Sequence, residues 1–162
     1  MCYAAPKVSS SVGSTEQSRG YSFRAVSLCT KYIKESLAPN ASKEVFQGMM
    51  EASNLAGKAI NISKTTAAHA WSYAITSHHG VPHGHAVWLT LPRIFQIHSM
   101  ASANQVTDPR GKEHFTTIIT RLMDMLDIAS PEGSASHLKS YLKAVNVESD
   151  IAKIGASTAK QR

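Results

Sequence analysis

At 162 residues the chain is about the size of one domain, long enough to bury a core but short for two complete lobes. Its 43% hydrophobic and 17% charged residues exclude an intrinsically disordered chain, and no apolar run approaches the roughly 20 residues that span a bilayer. The net charge of +6 comes from Lys and Arg scattered without a basic run or aromatic interleaving. That pattern argues against nucleic acid and for a mild bias toward anionic ligands.

Residues 1–13, with Pro6, Ser9, Ser10 and Ser11, show no periodicity and are expected to form a loop or a frayed helix remnant. An all-helical unit is expected over 14–162. Ser14 and Gln17 have capping-box spacing, and Phe23, Val26, Cys29, Tyr32 and Ile33 recur at three- and four-residue intervals. They predict a helix ending near Leu37, ahead of Pro39. Asn40 or Ser42 caps a second helix, carried by Val45, Phe46, Met49, Met50 and Leu55 toward Ile60. Its small residues Ala52, Ala56, Gly57 and Ala59 let another backbone come close.

A third, alanine-rich helix is expected from Thr65 to Ser77, before Gly80, Val81 and Pro82 force a turn. A fourth starts at His83 and runs through Ile97, with Pro92 inside it to kink or divide it. Beyond the punctuation of Asp108, Pro109 and Gly111, an amphipathic stripe of Phe115, Ile118, Ile119, Leu122, Met123 and Leu126 predicts a fifth. Pro131, Glu132 and Gly133 make a turn, Leu138, Tyr141, Leu142 and Val145 mark a further helix, and Glu148 to Ile154 adds a short last one. With no alternating strand pattern, the expected fold class is all-α, a helical bundle.

Of the eight histidines, none precedes His69 and five fall between residues 69 and 85. His69 sits on a predicted helix, and His83 follows immediately after the Gly80-Val81-Pro82 turn. Ligands on successive helices around a tight turn can converge on one cation, which needs imidazole nitrogens roughly 2.0–2.2 Å from the metal. A histidine in the first turn of a helix feels the positive end of the dipole, which favours the neutral, ligating ring. The same dipole opposes a cation, so a carboxylate is expected to complete the site. Spacing alone leaves open whether the two are ligands or hydrogen-bonded residues of the core. His78 and His79 read as solvated turn residues, His85 points away from His83 on a helix, and His98, His114 and His137 read as isolated surface residues.

The stretch Gly57-Lys58-Ala59-Ile60-Asn61-Ile62, then Thr66-Ala67-Ala68-His69-Ala70, then Gly80-Val81-Pro82-His83-Gly84-His85-Ala86-Val87 and Leu91-Pro92 resembles the signature of iron-containing (group III) alcohol dehydrogenases. Weaker similarity, including Ser14-Thr15-Glu16-Gln17-Ser18-Arg19, extends over most of the chain. Within the family, Ile62-Ser63-Lys64-Thr65-Thr66 and Tyr73 look closest to the phosphonoacetaldehyde reductase type. The resemblance implies a two-lobed enzyme with an N-terminal α/β cofactor lobe and a C-terminal helical lobe. The helical lobe holds Fe2+, or Zn2+, between an aspartate and three histidines. Two of those histidines fall on His69 and His83. The other two ligands belong to an upstream Asp-x-x-x-His element, and here the sequence departs from the pattern: residues 1–68 contain neither Asp nor His, and Cys2, Tyr3 and Ala4 stand where that element ends. Tyr73 stands where many members carry a further histidine.

Implied by the same resemblance are hydride transfer between NAD(P) and a small alcohol or aldehyde, and a metal that polarises the substrate oxygen. Tyr73, one turn beyond His69, either faces that cavity as a hydrogen-bond or proton donor or packs as a core aromatic. Lys64, beside Thr65 and Thr66, either binds an anionic substrate tail or is simply an exposed lysine. No GxG phosphate cradle occurs, so the cofactor lobe is expected to lie outside this chain. Alone, the chain is then expected to show little dehydrogenase activity and weak metal affinity. The rival reading is a helical binding or scaffold module docking through Met49, Met50, Met123 and Met125. Cys2 and Cys29 lack a CxxC spacing and no signal peptide is evident, so a cytoplasmic location is expected, and a homo-oligomer is compatible with it.

Overall fold

The structure is a computed structural model and describes residues 10–154. Among these residues there are six α-helices and no strand. The helices are α1 (Glu16–Tyr32), α2 (Lys43–Ser63), α3 (Ala67–His79), α4 (His83–Ser99), α5 (Gly111–Met125) and α6 (Ser134–Ala144). Short 3-10 turns cover Glu35–Leu37, Ala103–Gln105 and Ile151–Ile154. The expectations for residues 1–9 and 155–162 lie outside the described residues, while residues 10–13 are turn and bend. None of the described helices is long and apolar enough to cross a membrane.

The capping box of α1 falls one residue later than the sequence suggests. Thr15 Oγ1 accepts from the Ser18 amide at 3.1 Å, and Ser18 Oγ accepts from the Thr15 amide at 2.9 Å. Ser14 is turned inward instead, where its hydroxyl accepts from Arg110 at 3.1 Å. The helix also ends at Tyr32 rather than near Leu37, with a 3-10 turn beyond it. Pro39 forces Ala38 into extended backbone at φ −71° and ψ 140°, because the residue before proline is driven out of the α region. Of the two candidate caps for α2, Ser42 is the one used, accepting from the Val45 amide at 3.3 Å.

Helices α1 and α2 form an antiparallel pair along a seam of small side chains. Ser18, Ser22 and Ala25 of α1 meet Gly48, Ala52, Ala56 and Ala59 of α2, all buried. This seam rotates α2 away from its expected apolar stripe. Phe46 is 52% and Met50 72% exposed, whereas the small residues face inward. A large side chain on the inner face would hold the helices apart, so the close approach decides which face is buried.

The main core joins Phe23 and Val26 of α1, Leu55 of α2, Trp88, Leu91, Ile94 and Phe95 of α4, Ile118 and Leu122 of α5, and Leu138 and Leu142 of α6. Met123 and Met125 pack against it half-buried. A second cluster of Ile75, Val81, Ala86 and Leu89 holds α3 against α4. The α4 helix runs on through buried Pro92 to Ser99, so the proline does not divide it.

One polar clamp fastens the start of the described chain to the start of α5. The Arg110 guanidinium binds Asp108 through two hydrogen bonds, Nε to Oδ1 at 2.9 Å and Nη2 to Oδ2 at 2.7 Å, and its backbone amide adds a third to Oδ1 at 2.9 Å. The same guanidinium donates to the Ser14 carbonyl at 2.6 Å and the Ser11 carbonyl at 3.0 Å. Ser11 Oγ in turn donates to the Ser63 carbonyl at 2.8 Å, tying the last turn of α2 into the clamp. The Arg110 hydrogen bonds hold the buried Asp108 carboxyl down to about 2.

Two outcomes follow from this packing. A Cβ at Gly48 would overlap the Tyr32 ring, which is buried and held by its hydroxyl's donation to Glu44 at 2.9 Å. Gly48→Ala is therefore expected to destabilise the protein by about 1–3 kcal/mol, measured by denaturant unfolding, and an unchanged midpoint would show that the ring moves aside freely. For Asp108, a folded pKa below the unfolded value means stability that is complete above about pH 4 and lost as pH falls toward 2. Asp108→Asn should remove on the order of 2 kcal/mol at neutral pH and flatten the acid limb of a stability-against-pH curve.

Candidate metal centre

The α3–α4 hairpin is built around a tight turn. Gly80 ends α3 in the left-handed region at φ 65° and ψ 13°, and Pro82 at φ −51° starts α4. Glycine enters that region without a Cβ penalty, and proline's missing amide is harmless at a helix start. His83 is therefore the first residue of α4, and His69 the third of α3. Across the hairpin, Thr90 Oγ1 lies 3.1 Å from the Ala68 carbonyl and the same distance from the Val87 carbonyl of its own helix, so its one proton is shared between the two and links α4 to the turn that carries His69.

The two imidazoles meet. His69 Nε2 and His83 Nε2 are 3.1 Å apart, with ring centroids at 4.5 Å and planes at 82°. A cation about 2.1 Å from both nitrogens would see them at an angle of about 95°, close to a cis pair in octahedral coordination. The pair thus fits part of a metal site. It is not a whole one: among the described residues no group of three or more His, Cys, Asp or Glu is placed to hold a metal.

Tyr73 joins the histidines, its ring centroid 5.5 Å from that of His69 and 5.3 Å from that of His83. It is 60% exposed, which corrects the alternative of a packed core aromatic. Lys64 is elsewhere on the same joint. It caps the end of α2 at φ 60°, exposed, with no ion-pair partner among the described residues. A non-glycine residue at positive φ carries backbone strain, so the α2–α3 connection is held in a specific, unfavourable bend.

The other histidines lie apart from the pair. His78 and His79 are exposed at the end of α3. His85 Nε2 contacts the Glu148 carbonyl at 2.7 Å instead of turning toward His83. His98, His114 and His137 are half-buried, which corrects their reading as isolated surface residues. His98 packs on Phe115 with centroids 5.9 Å apart, and burial lowers its pKa. Burial, then the charges of Arg110 and Arg19, lower that of His114. His137 contacts the Leu126 carbonyl at 2.8 Å. An apolar cavity of about 60 Å³ lies between α1, α4 and α6, with Val26, Trp88, Phe95 and Leu138 in its wall and no histidine. It takes no part in this site.

Sequence reasoning missed two residues that hold the pair in place, Thr90 and Ser72. Ser72 is fully buried, its Oγ 2.6 Å from the His69 carbonyl oxygen and 3.3 Å from His83 Nδ1. The available signal was its position three residues after His69, on the same helix face.

Comparison with known proteins places the chain as a whole. Phosphonoacetaldehyde reductase of Streptomyces viridochromogenes is 29% identical over 146 residues, covering 89% of this chain and 36% of that protein. The fold matches that of an alcohol dehydrogenase from Oenococcus oeni with a TM-score of 0.74 at 22% identity, over 96% of this chain and 39% of the other. The chain thus spans well under half the length of either relative. The family model described as Fe-containing alcohol dehydrogenase family, C-terminal, matches residues 8–161. With nearly the whole chain matched and an all-helical fold of the same shape, this protein belongs to the iron-containing alcohol dehydrogenase family, whose C-terminal helical domain it represents.

Proposed function

We propose that this chain is the metal-holding helical part of an NAD(P)-dependent alcohol dehydrogenase or aldehyde reductase, with His69 and His83 as two ligands of Fe2+ or Zn2+. The observation that carries the reading is the 3.1 Å separation of the two Nε2 atoms. Imidazole suits iron and zinc alike. The metal, when bound, would act as a Lewis acid on the oxygen of a small alcohol or aldehyde during hydride transfer. This chain's own residues would hold the ion and orient the substrate. Tyr73, exposed beside both rings, can donate its hydroxyl proton to the substrate oxygen. Lys64, exposed at the joint leading into α3, supplies a positive charge for an anionic tail. The name of the 29% identical relative supports an aldehyde bearing such a tail.

A carboxylate and a third imidazole would complete the ligand set that the family implies. Residues 1–9 and 155–162 contain no Asp, Glu or His, so in this reading the missing ligands and the NAD(P) site come from outside this sequence, in a larger cytoplasmic enzyme. An alternative reading, a helical binding module, draws on exposed Phe46 and Met50, four residues apart on the outer face of α2.

Titration of the chain with Zn2+ by calorimetry, with iron and zinc counted by elemental analysis, tests the metal reading. His69→Ala and His83→Ala are each expected to lower affinity at least about tenfold, since even second-sphere partners of metal ligands contribute 10–100-fold. Stoichiometric metal that survives both substitutions would overturn it.

A further inference from the structure

Ser72 lies one turn beyond His69 in α3 and is fully buried between the two histidines. A serine hydroxyl has one proton to donate and two lone pairs. Its Oγ stands 2.6 Å from the His69 carbonyl oxygen, a group that can only accept, so the single hydroxyl proton is committed there. Were it pointed elsewhere, two oxygens would face each other lone pair to lone pair at that distance. The same Oγ lies 3.3 Å from His83 Nδ1. With its proton committed, Oγ can only accept in this second contact, and Nδ1 must therefore carry hydrogen.

We infer that Ser72 is a positioning residue that locks His83 in its Nδ1–H tautomer, so that the lone pair of Nε2 faces the space shared with His69. The inference rests on the metal-site reading above. It deepens that reading by assigning the second-sphere group that metal-ligating histidines need on their other ring nitrogen. The remaining contact agrees with it. His83 Nε2, as an acceptor, can receive a hydrogen from His69 Nε2 at 3.1 Å in the metal-free protein, so each short contact in the chain from the His69 carbonyl through Ser72 and His83 to His69 Nε2 has one donor and one acceptor. The opposite tautomer would leave Ser72 Oγ and His83 Nδ1 facing each other with no hydrogen between them. In the neutral ring the two nitrogens are distinct, and the partner of one decides the chemistry of the other.

The tautomer is read directly from two-bond 15N–1H correlations of the histidine side chains in the metal-free, uniformly 15N-labelled chain, at alkaline pH where the rings are neutral, with His83 assigned by loss of its signal in His83→Gln. The wild-type His83 is expected as the Nδ1–H form, Ser72→Ala to show a mixture or the Nε2–H form, and Ser72→Thr, which keeps the hydroxyl, to restore the wild-type pattern. In parallel, Ser72→Ala should weaken Zn2+ binding about 10–100-fold, with Ser72→Thr closer to wild type. A wild-type His83 in the Nε2–H form, or a pattern that Ser72→Ala leaves unchanged, overturns the inference. The wild-type spectrum decides even if a variant fails to fold. Zn2+ binding that neither histidine substitution nor Ser72→Ala weakens would count against the metal reading, while the tautomer would still decide the role of Ser72.

Discussion

The Thr90 hydroxyl, its proton shared between the Ala68 carbonyl across the hairpin and the Val87 carbonyl of its own helix, sets what this hairpin can do. It ties the eighth residue of α4 to the first turn of α3, next to the backbone of His69. Gly80 sets the other end of the hairpin by accepting a left-handed conformation. Between these two fixed points the second cluster of Ile75, Val81, Ala86 and Leu89 fills the gap. The histidines themselves contribute little to this geometry. They are carried into range by a backbone that other residues hold, which is how a site can be preorganised before any ligand arrives.

The hairpin is in turn aimed by the part of the chain that precedes it. The seam of Ser18, Ser22 and Ala25 against Gly48, Ala52, Ala56 and Ala59 fixes where α2 ends. Ser11 then holds the Ser63 carbonyl at the point where the backbone turns through strained Lys64 into α3. A buried hydrogen bond and a bent residue thus decide the direction in which α3 leaves. Site geometry and fold stability draw on the same contacts, so a lesion at the seam or the clamp reaches the imidazoles without touching them.

The helices were legible from apolar spacing because each has a core-facing stripe, and His83 was legible because a proline turn delivers it to the first position of a helix. The rotation of α2 was not. Phe46 and Met50 fit a helical stripe as well as Ala52 and Ala56 do, and only the closeness of α1 selects the small residues for the inside. The capping register slipped for a similar reason: Ser14 and Thr15 are equally good caps in isolation, and Arg110, distant in sequence, takes Ser14 for another purpose. His69 and His83 could be paired from the motif and the turn, but Ser72 and Thr90 are ordinary residue types whose partners appear only once α3 and α4 are folded together. Tyr73 sits at a periodicity that suits either face, and only the packing of α3 in the folded chain leaves it exposed.

The Arg110 clamp closes a loop of 96 residues between Ser14 and Arg110. The α1–α2 and α3–α4 pairs consist of neighbours along the chain and can assemble quickly, whereas closing a long loop carries an entropy penalty that delays its contacts. An interaction made after the rate-limiting step acts on the reverse reaction. A clamp whose loop closes that late acts as a latch on the finished molecule, weighing more on how long the native state persists than on how fast it is reached.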